Sequence, residues 1–460
     1  MSFRKTSTCL ALLAVTIARP GPARAQAPST ADSVLQGLID EALARNAELA
    51  ATRQLETAAL ARPAQASSRP GPALGAMYQN DGIAPSLGRQ PMTLLGVTAG
   101  QEIPYPGKLA LRREVAQADA ALAAFDVERA QRSLIASVKR AYYGLGLARG
   151  LADLALQHRD VWREVQETAR VRFASAAGSQ QELLRAQIEA TRLQALHAQH
   201  HAEARARLAQ LNALRARPVD TPVETPATVS LVPETRTSAE VVAWSEAESP
   251  ELKAARAAVE REERALALAQ LAFKPDFTVQ GGYMFRGSLP PMWQAGASVA
   301  LPSRSRARAA VTEAEAHLAA SNSRVEDVRI RLQAAVEQRL AFIQAAQTIA
   351  ATYRDGVLAQ DDVAVQSARA RYGAGQASQT SVLDAAAALI EDRTDYLRLL
   401  AAEAMEQARL EEASLEAPMG IDSLLMHGRS ASADGGGMAP PPAMPPSRTT
   451  TTSSASPETK

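Results

Sequence analysis

Four of the six histidines are the clearest candidates for metal chemistry in the chain. His197 and His201 are four residues apart, so on a helix they share one face and could chelate a metal ion. His200 lies between them, and His158 lies on the preceding helical arm. Polar residues on the exposed face of a long helix produce the same pattern without a metal. We therefore predict no metal site, and metal binding by His158, His197 and His201 stays open as the alternative.

Other reactive residues give no pattern that predicts catalysis. The C-terminal tail contains scattered methionines and one histidine: Met419, Met426, His427, Met438 and Met444. Thioethers suit Cu(I), but scattered methionines in a polar tail are weak support for a site, and this question also stays open. No nucleophile–base pattern, phosphate-binding loop or paired catalytic carboxylate motif is present. The sequence predicts neither an enzyme nor a bound cofactor.

The first 25 residues have the pattern of a secretory signal peptide. Arg4 and Lys5 precede an apolar stretch from Cys9 to Ala18, and Ala23–Ala25 is typical of a cleavage site. Cys9 is the only cysteine, so the mature chain would have no thiol, disulfide or cysteine metal site. Cleavage would remove four basic residues and lower the formal net charge of +1 by four. This balance gives no reason to expect nucleic acid as a partner.

The rest of the chain contains an internal duplication. Residues 168–186 (TARVRFASAAGSQQELLRA) and 367–385 (SARARYGAGQASQTSVLDA) match at a constant offset of 199. The matched pairs include Arg172 with Arg371 and Ser179 with Ser378, and Phe173 corresponds to Tyr372. We therefore divide the mature chain into two repeats, 26–217 and 238–417, joined by a proline-containing linker at 218–237 and followed by a disordered tail at 418–460.

Each repeat is predicted to contain the same elements in the same order. A first helix (33–62 or 238–272) and a β hairpin precede a long helical stretch (107–173 or 305–371) and a returning helix (179–215 or 378–416). Small residues at 174–178 and 373–377 reverse the chain at each tip, and glycine at Gly373 and Gly375 supplies the backbone freedom for the second reversal. At 1.5 Å per residue, each long arm would extend on the order of 100 Å.

Alternation of apolar and polar residues predicts four strands, at 72–80, 93–103, 275–286 and 292–301. Phe277, Val279, Tyr283 and Phe285 share one parity, which suits lipid on one face and water on the other. A soluble sandwich with one buried face would show the same alternation. Four strands cannot close a barrel, so a membrane role requires several chains, and three would supply twelve strands.

Several motifs resemble those of the TolC-like outer-membrane efflux proteins, and most closely the heavy-metal efflux branch. Gln101–Arg112 (QEIPYPGKLALR) resembles the strand-to-helix junction of the family. Arg371–Gly375 (RYGAG) with Val382–Ala385 (VLDA) resembles its helix-hairpin tip. Asn46–Leu49 (NAEL) and Ser249–Leu252 (SPEL) match its first-helix pattern. The resemblance covers residues 31–416, in order and in both repeats.

This resemblance implies a mainly α-helical fold with a transmembrane β-barrel portion. A homotrimer would form a 12-stranded barrel in outer-membrane lipid and a helical barrel of coiled coils extending into the periplasm. The expected partners are a periplasmic adaptor (membrane fusion protein) and an inner-membrane transporter of the resistance-nodulation-division type. Arg172, Ser179, Arg371, Gly373, Gly375 and Ser378 would be adaptor-contact residues at the tips.

The resemblance also implies a gate at the second tip. Asp384 corresponds to an inner aspartate of the family constriction, and Tyr372 to its tyrosine. Ser381 and Ala377 occupy positions where the family has an acid and an arginine, so we expect a weaker lock that depends on Asp384. The alternative for Asp384 is an acid favoured near a helix N-terminus.

The function expected from these features is a passive conduit for efflux, with heavy-metal cations or small toxic compounds as cargo. The alternatives are a periplasmic adaptor or a coiled-coil scaffold without a membrane barrel. The exported substrate and the identity of the pump are not determined by the sequence.

Overall fold

The computed structural model describes residues 30–87, 90–225, 236–413, 415–416 and 419. The predicted signal peptide, residues 226–235 of the predicted linker and most of the predicted tail lie outside the described residues. Among the residues described, no helix combines the length and the apolar character that crossing a membrane requires.

The described residues form helices and one small sheet, with the same order of elements in both repeats. In the first repeat these are α1 (Thr30–Arg45), α2 (Ala47–Ser67), β1 (Ala73–Gln79), β2 (Leu94–Ile103), α3 (Lys108–Ala174) and α4 (Gln180–Leu214). In the second repeat they are α5 (Ser238–Glu248), α6 (Pro250–Gln270), β3 (Asp276–Arg286), β4 (Leu289–Ala300), α7 (Arg304–Thr352), α8 (Leu358–Gly373) and α9 (Gln379–Glu412). The prediction of two tandem repeats is confirmed.

The prediction of a single first helix in each repeat is wrong, because both helices are broken by a capping residue. Asn46 separates α1 from α2 and accepts a hydrogen bond from the Leu49 amide at 2.9 Å. Ser249 separates α5 from α6 with the same type of cap, and Pro250 takes the first helical position. Each cap satisfies an otherwise unpaired amide of the new helix.

Another interruption lies within the second long arm, which the sequence predicts as one helical stretch. Residues Tyr353–Val357 form a π-helical turn between α7 and α8. Such a turn inserts extra backbone into the helical ladder and shifts the faces of the two flanking segments relative to one another. The corresponding arm of the first repeat, α3, runs without a break for 67 residues.

Thin apolar seams between helices replace a single thick core. The seam near the middle of α3 buries Val138 and Leu145 against Leu211 of α4, all three with no measurable exposure. A second seam, near the tips, unites both helical hairpins around Trp162 and Tyr372. These seams hold the two hairpins side by side, so that the tips of both repeats lie together.

The four strands form one antiparallel sheet in the order β1-β2-β3-β4. The two hairpins are thus joined through β2 and β3, with Val97 opposite Tyr283. Register places the large apolar residues on one face, and most are exposed in the chain: Leu74, Tyr78, Leu95, Val97, Phe277, Val279, Tyr283, Phe285, Trp293 and Val299. Trp293 is 79 % exposed. The opposite face carries Thr98, Gln280 and Gln294.

A buried lysine joins this sheet to the first long helix. Lys108, the first residue of α3, is 8 % exposed, and its Nζ lies 2.9 Å from both carboxylate oxygens of Asp276 at the start of β3. The Tyr105 amide donates a further bond of 2.7 Å to Asp276, and Gly107 turns the chain with a φ of 95°. These contacts account for Gly107 and Lys108 in the PYPGK segment, which follows β2 of the first repeat and binds Asp276 of β3 in the second.

Replacing this lysine should destabilise the protein more than replacing a lysine that pairs with an exposed carboxylate. Lys108→Met leaves the Asp276 carboxylate without its cation, and we expect a loss of about 3 kcal/mol in the free energy of unfolding. Lys139→Met is the matched control, because Lys139 pairs with the exposed Glu411 and its loss should cost less than about 1 kcal/mol. Thermal unfolding followed by circular dichroism compares the two. Equal losses would contradict the role assigned to Lys108.

Candidate gate at the hairpin tips

Both long helices end at the tips in the same hydrogen-bonded turn. At the end of α3, the Ala177 amide donates to the Arg172 carbonyl at 2.8 Å and the Ala176 amide to the Phe173 carbonyl at 3.1 Å. At the end of α8, the Gln376 amide donates to the Arg371 carbonyl at 2.8 Å, and the Gly375 amide makes the second bond. This is a Schellman motif, repeated at the offset of 199 residues found in the sequence.

The left-handed residue of this motif differs between the two tips. Gly375 has a φ of +73°, whereas its counterpart Ala176 has a φ of +57° with a side chain present. Left-handed backbone costs a residue with a Cβ about 1–2 kcal/mol, so the first tip is the more strained one. Gly373 lies in the last turn of α8 at a helical φ, so the reversal itself depends on Gly375 and not on Gly373.

Tyr372 joins the two tips through a polar network. Its hydroxyl donates to Glu182 Oε2 at 3.1 Å, across from α8 to α4. The Arg172 guanidinium lies 5.0 Å from the centre of the Tyr372 ring and donates to the Tyr372 carbonyl at 3.1 Å. Gln379 donates to the Glu182 carbonyl at 2.7 Å, and Arg369 forms an ion pair with Glu164 nearby. The network ties the first repeat to the second.

Burial and the neighbouring carboxylate keep this tyrosine protonated. Tyr372 is 2 % exposed, and burial, followed by the hydrogen bond to Glu182, raises the pKa of its hydroxyl to about 12. The phenol therefore remains a hydrogen-bond donor across the physiological pH range, which is the role that Glu182 requires of it.

Glu182 belongs to this network but is not among the gate residues predicted from the sequence. It stands at the position that corresponds to Ser381, and Phe173 stands at the position that corresponds to Tyr372. The duplication therefore places the tyrosine in one repeat and its acid in the other. The signal was present in the Ser179-x-x-Glu182 spacing, which is typical of a helix cap. Ser179 does cap the Glu182 amide, but the carboxylate contacts Tyr372.

The predicted gate residues do not all lie together within one chain. Asp384 is exposed on α9, whereas Val382 and Ala386 on the same helix are buried, so its carboxylate lies on another face from the Tyr372 network. The Ser381 hydroxyl donates to the Ser378 carbonyl at 2.6 Å, within its own turn. An arginine does contact Tyr372, but it is Arg172 from the other repeat and does not come from position 377.

The residues predicted to meet an adaptor are exposed with one exception. Ser179, Arg371, Gly373, Gly375 and Ser378 are all exposed at the ends of the hairpins. Arg172 is partly buried, and its guanidinium contacts the Tyr372 and Ala177 carbonyls of its own chain. This geometry suits Arg172 to bracing the tips.

A pair of acidic residues, Asp361 and Asp392, lies further along the second helical hairpin. Burial, and then the neighbouring Asp361 carboxyl, raises the pKa of Asp392 to about 6. Asp392 therefore holds its proton at mildly acidic pH and loses it near neutrality.

The structure describes His158, His197 and His201, the histidines considered for metal binding, and places two of their rings close together. His158 is 4 % exposed, and burial together with Arg393 lowers its pKa to about 4, so it stays neutral. His197 Nδ1 lies 3.1 Å from the Ala152 carbonyl, and its ring centre is 6.0 Å from that of His201. Within the described residues no group of three histidine, cysteine or carboxylate side chains could hold a metal ion. Among the tail methionines, only Met419 is described, and it packs near Phe342.

The tyrosine–glutamate bond should be detectable as a local coupling between the two repeats. Tyr372→Phe and Glu182→Gln should each destabilise the tips by about 1–2 kcal/mol, because each change weakens or removes a hydrogen bond to a charged group. Hydrogen–deuterium exchange of the tip peptides measures this effect. The double variant should cost clearly less than the sum of the single changes, since both remove the same bond.

Glu189→Gln is the control for this cycle. Glu189 lies on the same helix and pairs with Arg192 one turn away, so its replacement should leave exchange at Tyr372 unchanged. Additive effects of Tyr372→Phe and Glu182→Gln would show that the bond does not couple the tips.

Comparisons with known proteins agree with this architecture. A family model described as outer membrane efflux protein matches residues 38–216 and 245–414, one segment in each repeat. A search among curated proteins gave no significant match.

Solved structures of outer-membrane channels share the fold. The outer membrane protein VceC from Vibrio cholerae superposes with a TM-score of 0.71 at 20 % identity, covering 84 % of this chain and 97 % of that one. CusC, a protein that forms a transmembrane channel, gives 0.67 at 17 % identity, covering 84 % and 92 %. The outer membrane channel MtrE of Neisseria gonorrhoeae, in its open state, gives 0.64 at 21 % identity, covering 82 % and 88 %.

The duplicated fold and the family match over both repeats lead to one conclusion: the chain belongs to the outer membrane efflux protein family.

Proposed function

We propose that the chain is the outer-membrane exit duct of a tripartite efflux system. Three copies form a passive conduit that extends from the outer membrane into the periplasm. It receives cargo from an inner-membrane transporter of the resistance-nodulation-division type through a periplasmic adaptor. The energy comes from the transporter, so the duct needs only a path and a gate.

The observation that carries this proposal is the exposed apolar face of the four-stranded sheet. Its side chains point away from the rest of the chain, with Leu74 79 % and Val97 60 % exposed. A soluble protein of this size rarely leaves so continuous an apolar face in water. Lipid on this face and water on the face with Thr98 and Gln294 satisfy both sets of side chains.

The edges of the sheet support a trimer. Within the part of the chain that the structure describes, β1 and β4 are the outer strands of the sheet and have partners on one side only. In the order found, β1 and β4 run in opposite directions, so β1 of one chain can pair antiparallel with β4 of the next. Three sheets joined in this way give a closed ring of twelve strands without open edges.

The helical hairpins supply the periplasmic part and the adaptor contact. Several large apolar residues near the first tip are exposed in the single chain: Val171, Phe173, Leu184 and Ile188. Neighbouring subunits and an adaptor hairpin are the surfaces that would cover them. The exposed residues Ser179, Arg371, Gly373, Gly375 and Ser378 lie at the tip where an adaptor would approach.

The gate combines a bracing network within each chain and an acidic ring between chains. The Arg172–Tyr372–Glu182 network holds the tips of each chain together, and three copies of Asp384 would meet around the axis. A ring of carboxylates in a narrow pore attracts cations and repels anions. Ser381 offers no second carboxylate, so this ring depends on Asp384.

Heavy-metal cations or small toxic compounds are the cargo that we propose. The acidic ring favours cations, and the resemblance to the heavy-metal branch points in the same direction. The alternative, a periplasmic adaptor or scaffold without a membrane barrel, leaves the apolar face of the sheet without a function.

Fractionation followed by conductance tests this proposal. The protein should be recovered with the outer membrane, and after purification it should form ion channels in planar bilayers. Asp384→Ala should raise single-channel conductance roughly twofold, because it removes the side chain that narrows the constriction. Asp126→Ala is the control, since Asp126 is exposed and pairs with Arg129 on its own helix.

Two results would contradict the proposal at different levels. Recovery as a soluble periplasmic protein would exclude the duct itself. Channels whose conductance is the same in the Asp384→Ala variant and in the original protein would exclude Asp384 from the gate while leaving the duct in place.

A further inference from the structure

Three methionines form a row across the polar face of the sheet. Met77 of β1 pairs with Gly96 of β2, Gly96 pairs with Met284 of β3, and Met284 pairs with Met292 of β4. Consecutive partners in an antiparallel sheet carry their side chains on the same face. The row lies near the hairpin connections, at the end of the sheet remote from the long helices.

Gly96 creates the space in which two of these side chains meet. A Cβ atom at this position would overlap the Met284 sulfur and would lie 3.0 Å from Met77 Cγ. The Met77 and Met284 side chains therefore converge over the backbone of β2. Met284 is 4 % exposed, whereas Met77 and Met292 are 40 % and 48 % exposed. The result is a group of thioethers with one buried member and two that remain open to solvent.

Packing alone accounts for only part of this row. One methionine is enough to fill the gap above Gly96, because the side chain is flexible. Filling that gap does not explain why β1 and β4 carry the half-exposed methionines Met77 and Met292. The adjacent row is small and polar, with Thr98, Gly282 and Gln294. Apolar residues on this face break the alternation that the other strand positions follow.

We propose that Met77, Met284 and Met292 bind a soft monovalent cation, Cu(I) or Ag(I), through their sulfur atoms. Thioethers are neutral, polarizable ligands that favour Cu(I), whereas hard divalent cations prefer carboxylate and carbonyl oxygen. The row contains no carboxylate, imidazole or thiol. The site is therefore selective for soft ions by ligand type.

One charged side chain close to the row is held away from it. Arg286 follows Met284 by two residues on the same face, and its Nη2 donates to the Pro91 carbonyl at 2.6 Å. The guanidinium is thereby held towards the loop between β1 and β2. A neutral set of sulfur ligands beside this arginine favours a singly charged cation over a doubly charged one, since repulsion grows with charge.

The site adds a class of cargo, soft monovalent cations, to the proposed function. The position of the site inside a conduit rests on that proposed function, because the polar face of the sheet points inward only in the closed trimer. In the trimer, three methionine rows would line the outlet and hold soft cations on their way out. Binding itself depends only on the sheet within one chain.

Equilibrium binding of Ag(I) to the purified full-length protein tests the site. In chloride-free buffer with detergent, calorimetry should show saturable binding of about one ion per chain at these sulfurs. Met284→Leu keeps the volume of the side chain and should weaken this binding at least about tenfold. Met405→Leu is the matched control, because this thioether lies on α9 against Gly144, away from the sheet. Its replacement should leave the affinity unchanged.

Gly96→Ala separates a built site from scattered thioether binding. This variant keeps every methionine but places a methyl group where the Met284 sulfur lies, so affinity should fall as in Met284→Leu. Circular dichroism establishes that both variants are folded. Ag(I) affinity that is the same in the original protein, Met284→Leu and Gly96→Ala, or no saturable binding at all, would overturn the site.

The same preparations separate this inference from the proposed function. If channels form but Ag(I) binding does not depend on Met284, the site is wrong and the duct stands. If Ag(I) binds as described but no channels form, the site stands and the duct fails.

Discussion

The structure depends on a sheet that one chain cannot complete. Among the described residues, β1 and β4 leave one side of their backbone without strand partners, and nothing covers the apolar face that includes Trp293 and Tyr283. Unpaired strand edges cost free energy in lipid, where no water can bond to the backbone, and an exposed apolar face costs free energy in water. The rest of the fold serves this sheet: Lys108 fixes the first long helix to it, and both helical hairpins extend from this same end of the sheet.

Duplication explains the symmetry of the molecule, and departures from it explain the candidate gate. Both tips end in the same Schellman motif, but only the second has glycine at the left-handed position. The first tip carries the acid Glu182, and the second carries the phenol Tyr372 that binds it. If the two repeats were identical, either two tyrosine–glutamate hydrogen bonds could form or none. Because the repeats have diverged, a single bond of this kind joins Tyr372 to Glu182, and it links the two helical hairpins.

Local patterns in the sequence were enough to predict the elements of the fold. Alternation places the strands within three residues of their observed ends, and the long helices agree similarly well. The capping breaks at Asn46 and Ser249 were missed because apolar periodicity continues across them, although both caps have a recognisable residue type. The joining of β2 to β3 was not predictable in this way, since it brings together strands that are far apart in the chain. The Tyr372–Glu182 bond was missed for the same reason, because it requires knowledge of how the two hairpins pack.

The most direct test of this account is a disulfide between the open edges of the sheet. One cysteine replaces Ala76 in β1, and the other replaces successive positions of β4, such as Ala295 or Ala297. Within one chain β1 and β4 are three strand spacings, or about 14 Å, apart, which is too far for a disulfide bond. The only natural cysteine, Cys9, lies in the predicted signal peptide. Cysteines at Val97 and Tyr283, which pair within the sheet, provide the intrachain control. If three chains close the sheet into a ring, at least one β1–β4 cysteine pair should give covalent dimers and trimers on non-reducing gels. Monomers at every β4 position, with the control pair oxidised, would contradict the closed trimer.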